Sequence, residues 1–314
     1  MAASNVPLDL ASVANALDPA VQTYFKKQGD LAEKQYAQFV NVDTDISWET
    51  MTDGGMSGLK QFGRVLENAV ITAQSPVETN TKAYVQVEFA NMVRVTRRAL
   101  IFGLEKRQLT QQLDDLRMSA ERKKARDMAD LINNVTSTSY TVTDDSGSFT
   151  KTITGGDSLA AASASHTRED GGSNWSNVIT NGTTSNMDFE YDSLKAAFRT
   201  ARLILDPQGQ QMNIKPNVLV VRRGSPNHFR AREILGATSV PGSDENDANA
   251  MKGAYSILDL AYLTSDTPWA MFDSSMKGNV YGFQLKMKED VTLHSPDIEY
   301  LSGEIRWKGT MIYD

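Results

Sequence analysis

Residues 82–97 alternate apolar and polar side chains for longer than any other stretch of this chain, and few folds can absorb such a strand. Val85, Val87, Phe89, Val93 and Val95 fall on one face, while Gln86, Glu88, Arg94 and Thr96 fall on the other. At about 3.3 Å per residue, some fifteen residues would extend roughly 50 Å, against a usual strand of five or six residues. Such a strand outgrows a compact lobe and is expected to project from it. Its hairpin partner is expected at 56–66, with 73–80 as the tip, where Pro76 suits a turn or an edge.

A second long element follows. Leu109, Leu113, Leu116, Ala120, Met128, Leu131 and Val135 repeat at helical spacing, predicting a helix over 104–135 of roughly 48 Å. Arg107, Asp114, Arg117, Arg122, Lys123 and Arg126 cover much of the remaining surface. The basic run 122–126 invites a nucleic-acid reading. Asp114, Asp115, Glu121 and Asp127 flank it, however, so a solvated or intersubunit face is the better account.

Composition narrows the class. At 314 residues the chain exceeds the size at which one core usually stops growing, so two lobes are expected. No apolar run approaches a membrane span, and the first residues lack a basic-then-apolar signal. The absence of cysteine excludes disulfides, thiolate metal sites and cysteine nucleophiles. A net charge of −7 argues against a general nucleic-acid binder, although a container for DNA need not be basic.

Elsewhere, 7–40 reads as amphipathic helix, with Leu10, Val13 and Leu17 on one stripe, a break at Asp18-Pro19, and Val21, Tyr24 and Phe25 resuming it. It suits a small subdomain or an arm that finds its partner on another chain. A short hairpin is expected over 140–154 around Asp144 to Gly147. A helix is expected over 192–205, stopping at Asp206-Pro207, and a strand buried on both faces over 217–221. Ser225, Pro226 and Gly236 read as N-cap, first helical position and left-handed C-terminal position of another helix. A polar loop at 237–252 precedes strands at 255–263, 269–272, 280–288 and 299–313.

No chemistry assembles from these residues. His166, His228 and His294 lie far apart, and none has a second ligand at metal spacing. Ser165 and His166 are adjacent, which precludes a nucleophile–base pair across a site. Phosphate-loop and dinucleotide glycine patterns are absent. Asp43 with Asp45, and Asp144 with Asp145, read as turns satisfying their own backbone. We therefore assign no catalytic, cofactor-binding or metal residue and no cofactor, and read the chain as a structural protein, not an enzyme.

One tract carries a resemblance. Residues 155–176, rich in Gly, Ala and Ser, contain Gly156-Asp157-Ser158-Leu159 and then small residues up to His166. A Gly/Asn turn, a helix and the strand Pro216-Asn217-Val218-Leu219-Val220-Val221 follow. This order resembles the major head proteins of Mu-like tailed phages, and the likeness continues through 254–272 to the Trp307 strand, about two thirds of the chain. The resemblance implies an α+β, Hong Kong 97-type capsid fold with N-terminal arm, extended β-hairpin loop, long spine helix, peripheral domain and axial domain. On this sequence the arm would be 1–55, the extended loop 56–96 and the peripheral domain 97–186 with its spine helix at 104–135. The axial domain would be 187–287, and 288–314 would return as a strand to the peripheral domain. The acidic loop around Asp244, Glu245 and Asp247 would lie at the axial tip. The implied function is a major capsid protein that self-assembles, as hexamers and pentamers, into an icosahedral head enclosing double-stranded DNA without sequence-specific binding. Implied partners are other copies of itself, a separate scaffolding protein, a portal and a decoration protein, with no membrane. The implied location is the virion, after assembly in the host cytoplasm. An encapsulin-type compartment sharing the fold, and a non-viral binding protein or enzyme, remain the alternatives.

Overall fold

In the computed structural model, the described residues are 10–31, 35–55, 64–65, 67, 73, 76, 78, 80–96, 98–99, 106–144, 147–168, 171–179, 187–206, 209–242, 247–278, 282–299 and 303–314. Strands far apart in sequence build the central sheet. β1 (Val40–Asp43) lies parallel to β10 (Phe283–Leu293), β10 lies antiparallel to β12 (Ile305–Tyr313), and β4 (Val87–Val95) lies along the other side of β12. β4 and β12 pair over their whole length, from Val95 opposite Ile305 to Val87 opposite Tyr313. The short β11 (Asp297–Ile298) pairs with β12 at Ile305 and Arg306.

The long alternating segment is not one projecting strand. Up to Gln86 the even-numbered side chains Lys82, Tyr84 and Gln86 turn inward; from Phe89 onward the odd-numbered Phe89, Val93 and Val95 do. This one-residue slip reverses the faces and marks a change of partner. β3 (Lys82–Val85) pairs with β2 (Thr50–Asp53), whereas β4 joins the central sheet. The segment therefore stays against its own chain. The expected partner 56–66 and tip 73–80 lie mostly outside the described residues.

α2 (Lys106–Asn133) is the long helix, and the predicted stripe is its buried face. Leu113, Leu116, Ala120 and Met128 are in the core together with Ala129 and Ile132. Arg117, expected on the solvated side, is buried, and Lys124, from the middle of the basic run, is fully enclosed. Both sit among carboxylates, a feature that helical spacing alone does not reveal.

α1 (Leu10–Leu31) runs through Pro19 without ending, although proline forfeits one helix hydrogen bond. Tertiary packing offsets that loss: Ala14, Val21 and Phe25 share a core with Val93, Leu113, Leu116, Ile305 and Trp307. This helix finds its apolar partner on its own chain.

A second sheet has the order β8 (Ser256–Leu260), β7 (Val218–Arg222), β9 (Ala270–Phe272), with β8 parallel and β9 antiparallel to β7. β7 is covered on both faces, as its unbroken apolar run predicted. Leu219 and Val221 pack under α3 (Tyr191–Ala201) and α4 (Pro226–Gly236), beside Leu194, Ala231 and Ile234. Val218 and Val220 point the other way, into a core shared with Leu285, Met287, Met128 and Tyr313. The α/β unit is thus not a detached lobe. β10 likewise runs unbroken across the expected boundary at 287/288.

Local signals fared unevenly. Ser225 caps α4 by accepting the His228 amide, with Pro226 at the first position. Gly236 is not left-handed; Ala237 leaves the helix in extended conformation instead. α3 ends at Ala201, and Leu205 bridges Gln211 in a turn. The hairpin of β5 (Ser139–Asp144) and β6 (Gly147–Thr152) forms where the Asp/Ser/Gly turn placed it.

Candidate functional site

The two faces of the β2–β3 ribbon differ in chemistry. Its inner face is tied to the body by charge. Lys286, on β10 and nearly enclosed, sits between Asp43 of β1 at 2.8 Å and Asp53 of β2. The Lys286 hydrogen bond holds the Asp43 carboxyl below its usual range. Burial would lower Lys286, but hydrogen bonds to Asp43 and Asp53 outweigh it and raise the ammonium above its usual value. Tyr84 places its ring 5.5 Å from the same ammonium. Asp314 adds a second tie: its carboxylate accepts the Val85 amide at 3.0 Å and pairs with Lys151 of β6 at 2.9 Å. Lys82 donates to Thr154 Oγ1 at 3.2 Å, and burial lowers its ammonium below the usual lysine value.

Among the described residues the outer face has no such ties. Thr50 stands opposite Val85 and Thr52 opposite Ala83, and the Gln86 amide donates to the Glu49 carbonyl, carrying the register on toward Trp48 and Val87. Trp48 is 76% exposed, Val85 52% and Val87 37%. Large apolar side chains so exposed and so close together mark an interaction surface. Val85 and Val87 were expected on one face with Phe89, Val93 and Val95, yet both are exposed; the slip after Gln86 sets Val85 on the opposite side of the chain from Phe89. Trp48 was missed because no periodic pattern contains it.

A second ion cluster lies beneath α2. Lys124 bonds Glu121 at 2.9 Å and Asp290 of β10 at 2.8 Å, while Arg117 pairs with Glu121 at 3.1 Å and donates to the Val291 carbonyl. Burial would raise Asp290, but the Lys124 hydrogen bond and charge hold it well below the carboxylate range. Two cations against two carboxylates leave the junction neutral. The basic run is therefore partly structural, with Lys123 paired to Asp127 at 2.6 Å.

Each histidine is hydrogen-bonded within the chain. His166 Nδ1 meets Asp157 Oδ2 at 2.7 Å and stacks on Trp175 with ring centroids 4.5 Å apart. His228 Nδ1 accepts the Gly224 amide, and His294 Nε2 meets Thr310 Oγ1. Asp43 accepts the Asp45 amide, as expected of that turn. The described residues of the 155–176 tract form a folded loop, pinned where Ala162 donates to the Val135 carbonyl beyond α2. Arg168 extends it to the turn at Gly209 (φ +76°), where a methyl group would overlap the guanidinium. Among the described residues no group of three His, Asp or Glu could hold a metal, and no helix is long and apolar enough to cross a membrane.

Comparison with known proteins places this geometry. The model of a family described as phage capsid protein matches residues 78–314. No curated protein matches the chain. Solved structures that resemble it include a capsid of bacteriophage JBD30 decorated with minor capsid protein trimers, at 13% identity and TM-score 0.46, covering 74% of this chain and 92% of that one. A structure from Mycobacterium phage Che8 is similar at 12% identity and TM-score 0.47, covering 88% of this chain and 85% of that one. One from Mycobacterium phage Patience covers 99% of this chain and 85% of its own, at 8% identity and TM-score 0.43. The family match spans α2, the β8-β7-β9 sheet, the central sheet apart from β1, and the 155–176 tract, and on it the chain belongs to the phage capsid protein family.

Proposed function

We propose that the protein is the major shell subunit of a tailed-phage head, assembling with copies of itself into a closed icosahedral container for double-stranded DNA. The family match over 78–314 carries this reading. An exposed apolar ribbon face anchored to the body by buried charge supports it, because a tile needs a rigid surface offered to a neighbour. Its role is structural, not catalytic. The proposed architecture is Hong Kong 97-type, with 1–55 as arm, 56–96 as extended loop and α2 as spine. The axial domain, around β7, α3 and α4, occupies 187–287, and the peripheral domain comprises 97–186 with the strand of 288–314. A separate scaffolding protein, a portal and a decoration protein complete the proposed assembly, which forms in the host cytoplasm. The decorated JBD30 capsid supports the last partner by similarity alone.

Electron microscopy of the purified protein, alone and co-expressed with the scaffolding protein of the same phage, tests the reading. Closed shells of head size are expected. Small shells filled with a cargo enzyme would indicate a compartment protein, and a monomer under every condition would overturn the proposal.

A further inference from the structure

Resting on the shell reading, we infer that the 155–176 tract, with Thr154 and Asn177 at its ends, couples the β2–β3 ribbon to the axial unit. By fixing where the extended loop leaves the body, it sets the angle between neighbouring copies and thus the curvature of the shell. Its described residues grip the molecule at three separate places. At the ribbon, Thr154 Oγ1 accepts a hydrogen bond from the Lys82 ammonium at 3.2 Å. Two residues on, Gly156 lies so close to Asn80 that a Cβ would stand 2.9 Å from its carbonyl oxygen, a main-chain atom that cannot swing aside. At the end of α2, Ala162 donates to the Val135 carbonyl at 2.8 Å. At the axial unit, the Arg168 guanidinium lies against both Gly172 and Gly209, the latter in the turn after α3.

Between these grips the tract is built to hold its shape. Ser158 takes a left-handed conformation (φ +61°), which a residue other than glycine keeps only where its surroundings impose it. Asp157 imposes it with both oxygens: Oδ1 accepts the Leu159 amide at 3.1 Å, and Oδ2 meets His166 Nδ1. Farther on, the Asn177 side chain accepts the Ser163 amide and donates to the Ala161 carbonyl, closing the loop from both sides. The ribbon and the β8-β7-β9 sheet share no strand, and the tract reaches from the first to the turn beside the second. A connector so braced passes a displacement at one grip on to the others. At the root of a long loop a small displacement grows toward the tip, and in a shell every copy repeats it.

Point variants at opposite ends of the tract decide this by hydrogen exchange in the full-length, unassembled chain. Arg168→Ala, at the axial end, is expected to speed exchange at 80–85 as well as at 209–211, by about fivefold, the factor that one net hydrogen bond supplies. Gly156→Ala, at the ribbon end, is expected to do the same at 209–211. If Gly156→Ala does not fold, Thr154→Val, which removes a single hydrogen bond, takes its place in the comparison. Changes confined to the segment beside each substitution would make the tract an ordinary surface loop and overturn the inference. Shells of the variants, imaged beside those of the unaltered protein, should differ in mean diameter or fail to close. Coupled exchange with shells of unchanged diameter would overturn the role in curvature. Unaltered protein that forms no shells at all would instead count against the shell reading, and the exchange result would still decide the coupling.

Discussion

Lys286 shows what a single residue can hold and how little of that is visible beforehand. In sequence it is one lysine in an alternating strand; in the structure it joins β1, β2 and β10 through Asp43 and Asp53. Lys286→Ala leaves two carboxylates facing each other and is expected to destabilise by about 2 kcal/mol, less than for a fully buried pair because both acids are partly solvated. The pH dependence has two limbs. Asp43 is held below its usual value, so its share is present above about pH 4 and is lost as pH falls through the lowered value. Lys286 is held above its usual value, so its share is present below about pH 10 and is lost as pH rises through the raised value. Melting curves of Lys286→Ala and the unaltered protein should therefore differ most between these limits and converge in acid. Gln86 offers the opposite case. Its side-chain nitrogen and oxygen are buried without a hydrogen-bond partner among the described residues. Gln86→Leu should be neutral or stabilising by about 1 kcal/mol, measured as a higher urea midpoint at unchanged slope. A loss of stability would mean that the amide does find a partner.

At the scale of elements, periodicity succeeded where one partner surface governs a whole segment and failed where partners change. The apolar stripe of α2 and the unbroken run of β7 were legible because each has one environment from end to end. The 82–97 strand was misjudged because alternation says nothing of a slip, and the exchange of β2 for β12 at Gln86 is a tertiary event. Burial of Arg117 and Lys124 escaped for a related reason: their countercharge Asp290 lies far away in sequence. The α2 stripe can be tested directly. Leu116 lies against Gly309 and within the core of Trp307, so Leu116→Asp should bury an unpaired charge, cost about 4 kcal/mol and yield insoluble or unassembled protein. Met118→Asp, on the solvent side of the same helix, should leave the monomer's melting temperature within a few degrees. Equal damage from both would show that the helix faces are wrongly assigned.

For the whole molecule, the family was legible from the order of elements around 155–176, whereas the degree of integration was not. Two lobes were expected from length, yet β7 shares its inner core with the central sheet. Shell cohesion can be judged from the same view. Lys82 is the lysine nearest the expected loop tip, and it is occupied by Thr154 of its own chain and drawn toward Asp314. We therefore expect a shell held without covalent links; boiled, detergent-denatured particles should run as one monomer band, and a ladder of multimers would refute this. One further consequence lies in β12, the strand on which β10, β11 and β4 all converge. About two hundred residues separate its Ile305 from the Val95 it faces, so the central sheet cannot close while the intervening chain is still being made. Until then β4 waits with an open edge, and the core of Val93, Val95 and Leu116 lacks the Trp307 ring that fills it. Subunits should accordingly become competent to meet one another only after synthesis has passed β12, which keeps half-made tiles on neighbouring ribosomes from joining into malformed shells.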